Sequence, residues 1–134
     1  MTGIIEIEGI GPAFEAKLKA SGVETVEALL REGGTRVGRG TLAAKTGVDE
    51  DRILEWVNRA DLMRVKGVGS EFSDLLEAAG VDTVKELAQR NAANLHAKLI
   101  EVNNAKNLVN RAPSMSEVEG WIRQAADMKA AVSY

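Results

Sequence analysis

Two Gly-x-Gly motifs are the residues of this sequence best suited to hold a ligand: Gly9-Ile10-Gly11 (hairpin 1) and Gly67-Val68-Gly69 (hairpin 2). Two glycines around one aliphatic residue predict a tight turn between helices, because glycine accepts positive φ and lets another group approach closely. The first N–H groups of the helix that follows have no acceptor inside it, and the helix dipole adds positive charge there. Such a turn can hold a phosphate oxygen.

The residues that follow the two turns predict different roles for them. Hairpin 1 is followed by Pro12, which suits the first position of a helix, and then by Lys17 and Lys19. Phosphate binding and plain helix packing are both open for this hairpin. Hairpin 2 is followed by acidic residues in the first two helical turns, which compete with a phosphate for the same amides: Glu71, Asp74 and Glu77. That pattern favours a turn that only packs two helices.

The elements that must position these turns are duplicated. Residues 7–33 align with residues 65–91 by a shift of 58 positions without a gap, and ten positions are identical. In the first copy these are Gly9, Gly11, Phe14, Leu18, Ala20, Gly22, Val23, Thr25, Val26 and Leu29. We expect the matching apolar residues, the two phenylalanines included, to be buried alike. Repetition of turns and apolar anchors together predicts one structural unit used twice.

The two copies extend over the whole chain. Trp56 and Trp121 occupy matching places, but the second copy carries an extra segment around Val102 to Pro113. We therefore expect residues 1–60 to form the first repeat and residues 61–134 the second. Few large side chains are available to each half, so we expect the two to form one cooperative unit. Apolar spacing and cap residues such as Thr25, Thr83 and Ser114 predict an all-α fold.

The segment Arg31–Gly40 is the most electropositive stretch, with three arginines and four glycines. It predicts either a flexible loop that reaches a phosphate backbone through Arg36 and Arg39, or a solvated connector; the composition favours the connector. A helix-turn-helix pattern follows around Gly47. Its second helix begins Asp49-Glu50-Asp51, which would repel DNA, so we expect no reading of base sequence.

Composition excludes several chemistries. The chain has no cysteine and one histidine, His96, so we expect no thiol nucleophile, no metal site, no cofactor and no catalytic residues. No signal peptide or membrane span is predicted, and the absence of cysteine fits a cytoplasmic protein. The chain carries 17 basic and 20 acidic residues, a net charge of −3, whereas strong nucleic-acid binders are usually basic.

The segments Ile7-Glu8-Gly9-Ile10-Gly11 with Leu18 and Val65-Lys66-Gly67-Val68-Gly69 with Leu76 resemble the helix-hairpin-helix family. The segments Leu54–Leu62, Leu76–Val84 and Val118–Ile122 resemble a bacterial family of such proteins catalogued only as a domain of unknown function. This resemblance implies duplicated, SAM-like helix-hairpin-helix repeats packed in one helical domain. DNA-binding members usually place Lys or Arg just after the turn, where this chain has Ala13 and Glu71.

The resemblance implies a non-enzymatic module that binds the backbone of DNA or RNA weakly and without sequence specificity. Its site would comprise Gly9, Ile10, Gly11, Lys17, Arg36, Arg39, Gly67, Val68 and Gly69. The alternative is a docking module for a protein partner, which suits the acidic balance better. We expect one contiguous basic face if the ligand is nucleic acid, and an apolar patch if it is a protein.

Overall fold

Eight α-helices and one short 3-10 helix build the part of the chain described by a computed structural model, residues 2–134. The 3-10 helix is Ile4–Glu6, and the α-helices are α1 Pro12–Ala20, α2 Val26–Gly33, α3 Arg36–Thr46, α4 Glu50–Leu62, α5 Ser70–Ala78, α6 Val84–Ala88, α7 Ala92–Lys106 and α8 Met115–Ala126. Within residues 2–134, β pairing is limited to one bridge between Gly3 and Thr25. The prediction of an all-α fold is confirmed.

The helices group into two compact units. The first contains residues 2–61 and 131–134, and the second contains residues 62–130. The sequence placed the boundary one residue earlier and put residues 131–134 in the second half. Cooperative unfolding of the two units stays a prediction.

The two turns have matching hydrogen bonds at positions 58 residues apart. The N–H of Ile10 donates to the carbonyl of Ile7 at 3.1 Å, and the N–H of Val68 donates to that of Val65 at 3.0 Å. Gly9 and Gly67 both have φ of 94°. In each unit a glycine with positive φ, Gly22 or Gly80, lies two residues beyond the end of the helix after the turn, and a threonine then caps the next helix.

Apolar side chains fill each unit at corresponding places. Leu18, Val23 and Leu29 are buried in the first unit; Leu76, Val81 and Leu87 are buried in the second. The sequence also predicted core positions for the two phenylalanines, but Phe14 and Phe72 are only half-buried. Each instead covers the buried tryptophan of its own unit, with ring centroids 5.1 Å apart for Phe14 and Trp56 and 5.2 Å apart for Phe72 and Trp121.

The segment Arg31–Gly40 is not a flexible loop. It contains the end of α2 and the start of α3, where the Thr35 hydroxyl caps the helix by accepting from the N–H of Gly38 at 3.0 Å. The extra segment of the second copy is partly helical as well. It lengthens α7 to Lys106, and the Asn103 side chain then holds the loop by bonding both backbone groups of Val109.

Candidate functional site

The two glycines of hairpin 1 have different environments. Gly9 has positive φ, and a Cβ built on it would lie 3.3 Å from the indole Nε1 of Trp56. Gly11 has φ of −87°, and a Cβ there would meet nothing within 4 Å. The protein therefore requires glycine at position 9 for its own packing, whereas at position 11 the side-chain space is open. Ile10 is buried, so only the backbone of this residue faces outward.

Helix α1 begins without a side-chain cap. Its N-cap residue is Gly11, and Pro12 supplies no N–H, so the N–H groups of Ala13 and Phe14 are the free donors of its first turn. The other six helices all have a side chain that accepts from the first turn; in α4 it is the Asp49 carboxylate, which accepts from the N–H of Asp51 at 3.0 Å. The helices after the two hairpins, α1 and α5, share the open arrangement. Helix starts of this kind can accept an anion.

Three basic side chains contact the residues that flank hairpin 1, Glu8 before it and Phe14 after it. The Lys17 ammonium lies 5.8 Å and the Arg52 guanidinium 5.1 Å from the centroid of the Phe14 ring. Arg59 donates from Nη1 to the carbonyl of Glu8 at 2.8 Å and lies 3.7 Å from the Cβ position of Gly9. Among residues 2–134, no carboxylate lies within 4 Å of the Lys17 or Arg52 cation. Sites of this composition attract phosphate.

Arg52 and Arg59 were not predicted from the sequence. Both lie on α4, and at spacings of four and three residues they flank Trp56 on one helix face. Their contacts with Phe14 and Glu8, on either side of hairpin 1, join residues about 40 to 50 positions apart, which periodicity does not reveal. Aligning Trp56 with Trp121 could have identified them, because Arg59 then aligns with Gln124 and Arg52 with Glu117, so the first copy is basic where the second is not.

Hairpin 2 has the same framework, but neutral or acidic residues replace two of the basic residues near hairpin 1. A Cβ on Gly67 would lie 3.1 Å from the indole Nε1 of Trp121, and the Gln124 side chain donates to the carbonyl of Lys66 at 3.1 Å, as Arg59 does in the first unit. Arg111 lies 5.9 Å from the Phe72 ring centroid but is paired with Glu117 at 2.7 Å.

The charges beside hairpin 2 are largely balanced. Lys66 is exposed, but the exposed Glu71 lies in the first turn of α5. Val68 is buried like Ile10, and Gly69 resembles Gly11, with φ of −101° and nothing within 4 Å of a Cβ. The second hairpin therefore retains the open helix start and has one exposed cation, Lys66, but Leu75 and Glu117 stand where the first unit has Lys17 and Arg52.

Arg39 is a structural residue, contrary to the sequence expectation of a mobile arginine. It is 5% exposed, and Nη1 donates to the carbonyls of Gly33 at 3.0 Å and Gly34 at 3.1 Å, while Nη2 donates to the carbonyl of Ser133 at 2.6 Å. Its guanidinium is therefore committed to the protein backbone. Arg36 is exposed at the start of α3 and remains accessible to a ligand.

Other kinds of site are not formed by the described residues. Among residues 2–134, no group of three or more histidine and acidic side chains is arranged to hold a metal ion. His96 is half-buried, and its Nε2 lies 3.1 Å from the carbonyl oxygen of Pro113, so it joins α7 to the loop before α8. No helix in this part of the chain has the length and apolar character needed to cross a bilayer.

Fold and site together define an all-α protein with two small helical units, each presenting a Gly-x-Gly turn at an uncapped helix start. The chain belongs to the family described as "Domain of unknown function (DUF4332)", whose model matches residues 8–128, a range that contains both hairpins. No curated protein and no solved structure matches the chain significantly.

Proposed function

We propose that each unit is a helix-hairpin-helix repeat and that hairpin 1 binds phosphates of a nucleic-acid backbone, weakly and without sequence specificity. The observation that carries this proposal is the group of Lys17, Arg52 and Arg59 around an uncapped helix start. Backbone amides fix one phosphate while the basic side chains contact its neighbours. Of the three, Arg52 lies at a helix start, but it follows Glu50 and Asp51 in the first turn of α4, and these carboxylates repel DNA, so the proposed binding ignores sequence.

The second unit supports the proposal by contrast. Its equivalent side chains are Gln124 and Glu117, so its hairpin has the backbone geometry with little net attraction for an anion. We therefore assign phosphate binding to the first unit, and a structural or docking role to Gly67, Val68 and Gly69. Protein docking by the whole chain is the alternative function, and the net charge of −3 favours it.

The test is binding of a fluorescein-labelled duplex and a labelled single strand, measured by anisotropy at several salt concentrations. About three neutralised phosphates give a slope of log affinity against log salt of roughly −3, with a dissociation constant of about 10⁻⁴ to 10⁻⁶ M at physiological salt. Duplexes of unrelated sequence should bind within a factor of about 2–3 of one another, because phosphate contacts carry no base information.

Substitutions taken from the second unit make the sharpest variants. Arg59→Gln removes one charge but keeps a donor for the Glu8 carbonyl, as Gln124 shows in the second unit. Combined with Arg52→Gln, it should reduce the salt slope by about 2 and leave folding intact. The matched control is Lys19→Gln with Lys85→Gln, which changes the net charge by the same amount. Lys19 is paired with Glu15, and Lys85 lies on α6 in the second unit.

The outcomes separate the two functions. Equal loss of binding in both double variants would mean that only net charge matters and would overturn the assignment to hairpin 1. No binding of either nucleic acid at about 50 mM salt would contradict the proposed nucleic-acid binding and favour protein docking. Glu71→Lys should increase affinity if the second hairpin is a phosphate site opposed only by its acid.

A further inference from the structure

Residues 131–134, which we call the strap, lie against the first unit although they follow the second unit in the sequence. They follow the end of α8 at Ala126 and form no helix or strand. The N–H of Ser133 donates to the carbonyl of Gly34 at 2.8 Å, and the carbonyl of Ser133 accepts from Arg39 at 2.6 Å. One residue of the strap is therefore bound through both of its backbone groups.

The receiving surface is built for this contact. Arg39 is buried and also donates to the carbonyls of Gly33 and Gly34, so residues outside the strap hold its guanidinium as well. A Cβ on Gly34 would lie 2.6 Å from the carbonyl oxygen of Ala131, so only glycine lets the strap backbone come this close. A cavity of about 380 Å³, lined by Leu30, Thr35 and Ala131 among others, leaves room beside the strap.

We infer that Gly33, Gly34 and Arg39 form a peptide-binding groove, whose ligand is the strap sequence bound through its main chain. Recognition through backbone groups with an adjacent side-chain cavity is a recurrent way of binding short peptides. Covalent attachment keeps the strap close to the groove, at an effective concentration in the millimolar range. A free strap peptide therefore binds only when the attached strap is released. This inference is independent of the phosphate site at hairpin 1.

The experiment uses two variants of the full chain. Ser133→Pro removes the N–H that donates to Gly34, whereas Ser133→Ala keeps it and serves as the matched control, because the side chain is exposed. A synthetic peptide of residues 127–134 is titrated into each isotope-labelled protein, and the amide signals of Gly33, Gly34 and Arg39 are followed by NMR.

We expect the Ser133→Pro protein to bind the peptide with half-saturation at or below ~0.1 mM, about a tenth of the effective concentration of the attached strap. The Ser133→Ala protein should then show at least tenfold less response at the same sub-saturating concentration. A peptide carrying proline at position 133 should not bind either protein. Leucine in place of Ala131 in the peptide should tighten binding about fivefold, because the cavity removes part of its side chain from water.

Release of the strap without any peptide binding would overturn the inference, as would equal binding by both variants or by the proline peptide. Equal affinity of the Ala131 and leucine peptides would show that the cavity is not part of the peptide-binding groove. A measurement on the unaltered chain covers the case in which a variant misfolds: the amide of Ser133 should exchange with solvent at least tenfold more slowly than that of a free peptide. Exchange at the free rate would contradict the contact itself.

Discussion

At the scale of single residues, two arginines three positions apart have opposite roles. Arg39 is buried with three backbone hydrogen bonds, and Arg36 is exposed at the start of the same helix. We predict that Arg39→Met lowers the free energy of unfolding by about 2–4 kcal/mol, because three carbonyls lose their charged donor. Urea unfolding followed by circular dichroism measures the change.

Arg36→Met is the control for that substitution, since it removes the same charge from an exposed position. It should change the free energy of unfolding by less than about 0.5 kcal/mol. Similar losses for the two variants would show that the hydrogen bonds of Arg39 contribute no more than its charge.

The glycines of hairpin 1 give a second pair of contrasting residues. Gly9→Ala should cost about 1–2 kcal/mol, because φ is 94° and the new methyl group meets the Trp56 indole. Gly11→Ala should leave stability unchanged or raise it by up to about 1 kcal/mol, since φ is −87° and the space is open. Thermal unfolding of the two variants is the measurement, and an equal loss in both would contradict the assignment of strain to position 9.

Among the elements, α8 has the most fully capped start. Ser114 accepts from the N–H of Glu117 at 3.1 Å, and Glu117 accepts from the N–H of Ser114 at 3.0 Å. Hydrogen bonds from Arg111 and then from the Ser114 backbone lower the pKa of Glu117 from an ordinary value near 4.5 to about 2. A lowered pKa means that ionised Glu117 stabilises the folded state above pH about 4.5, and that this contribution is lost as the pH falls towards 2.

We predict a loss of about 1 kcal/mol over that interval, a small value because the pair is partly exposed and screened by water. Glu117→Gln keeps an acceptor for the Ser114 N–H but does not titrate. The difference in unfolding free energy between the unaltered protein and this variant should therefore shrink to zero near pH 2. A difference that is constant from pH 7 to pH 2 would show that Glu117 acts through its shape alone.

The elements also show what the sequence can and cannot predict. The start of α1 at Pro12 and the caps at Thr25, Thr83 and Ser114 were predicted, because they depend on neighbours within four residues. The start of α3 was missed, because Gly33 and Gly34 suggested a loop. Distant contacts contribute to the need for these glycines: a Cβ on Gly33 would lie 2.8 Å from Val57, and one on Gly34 would meet the carbonyl of Ala131 as well as that of Leu30 nearby.

For the whole molecule, the main open prediction concerns cooperativity. Each unit has its own buried apolar residues and its own tryptophan, Trp56 or Trp121, but each contains only about half of a chain of 134 residues. Units of that size are marginally stable alone. We predict that single-tryptophan variants, Trp121→Phe and Trp56→Phe, give fluorescence unfolding curves that each coincide with the circular dichroism curve of the same variant. Curves that separate within one variant would show independent unfolding of the units.

The position of Trp56 has an optical consequence. Its indole is 1% exposed and lies against the backbone of Gly9. It also contacts the Phe14 ring, over which Lys17 and Arg52 lie. An anion bound at hairpin 1 changes the electric field at this indole without touching it, which shifts its emission wavelength. In the Trp121→Phe protein, Trp56 is therefore an internal reporter of occupancy, and titration with unlabelled polyphosphate can be followed by emission alone.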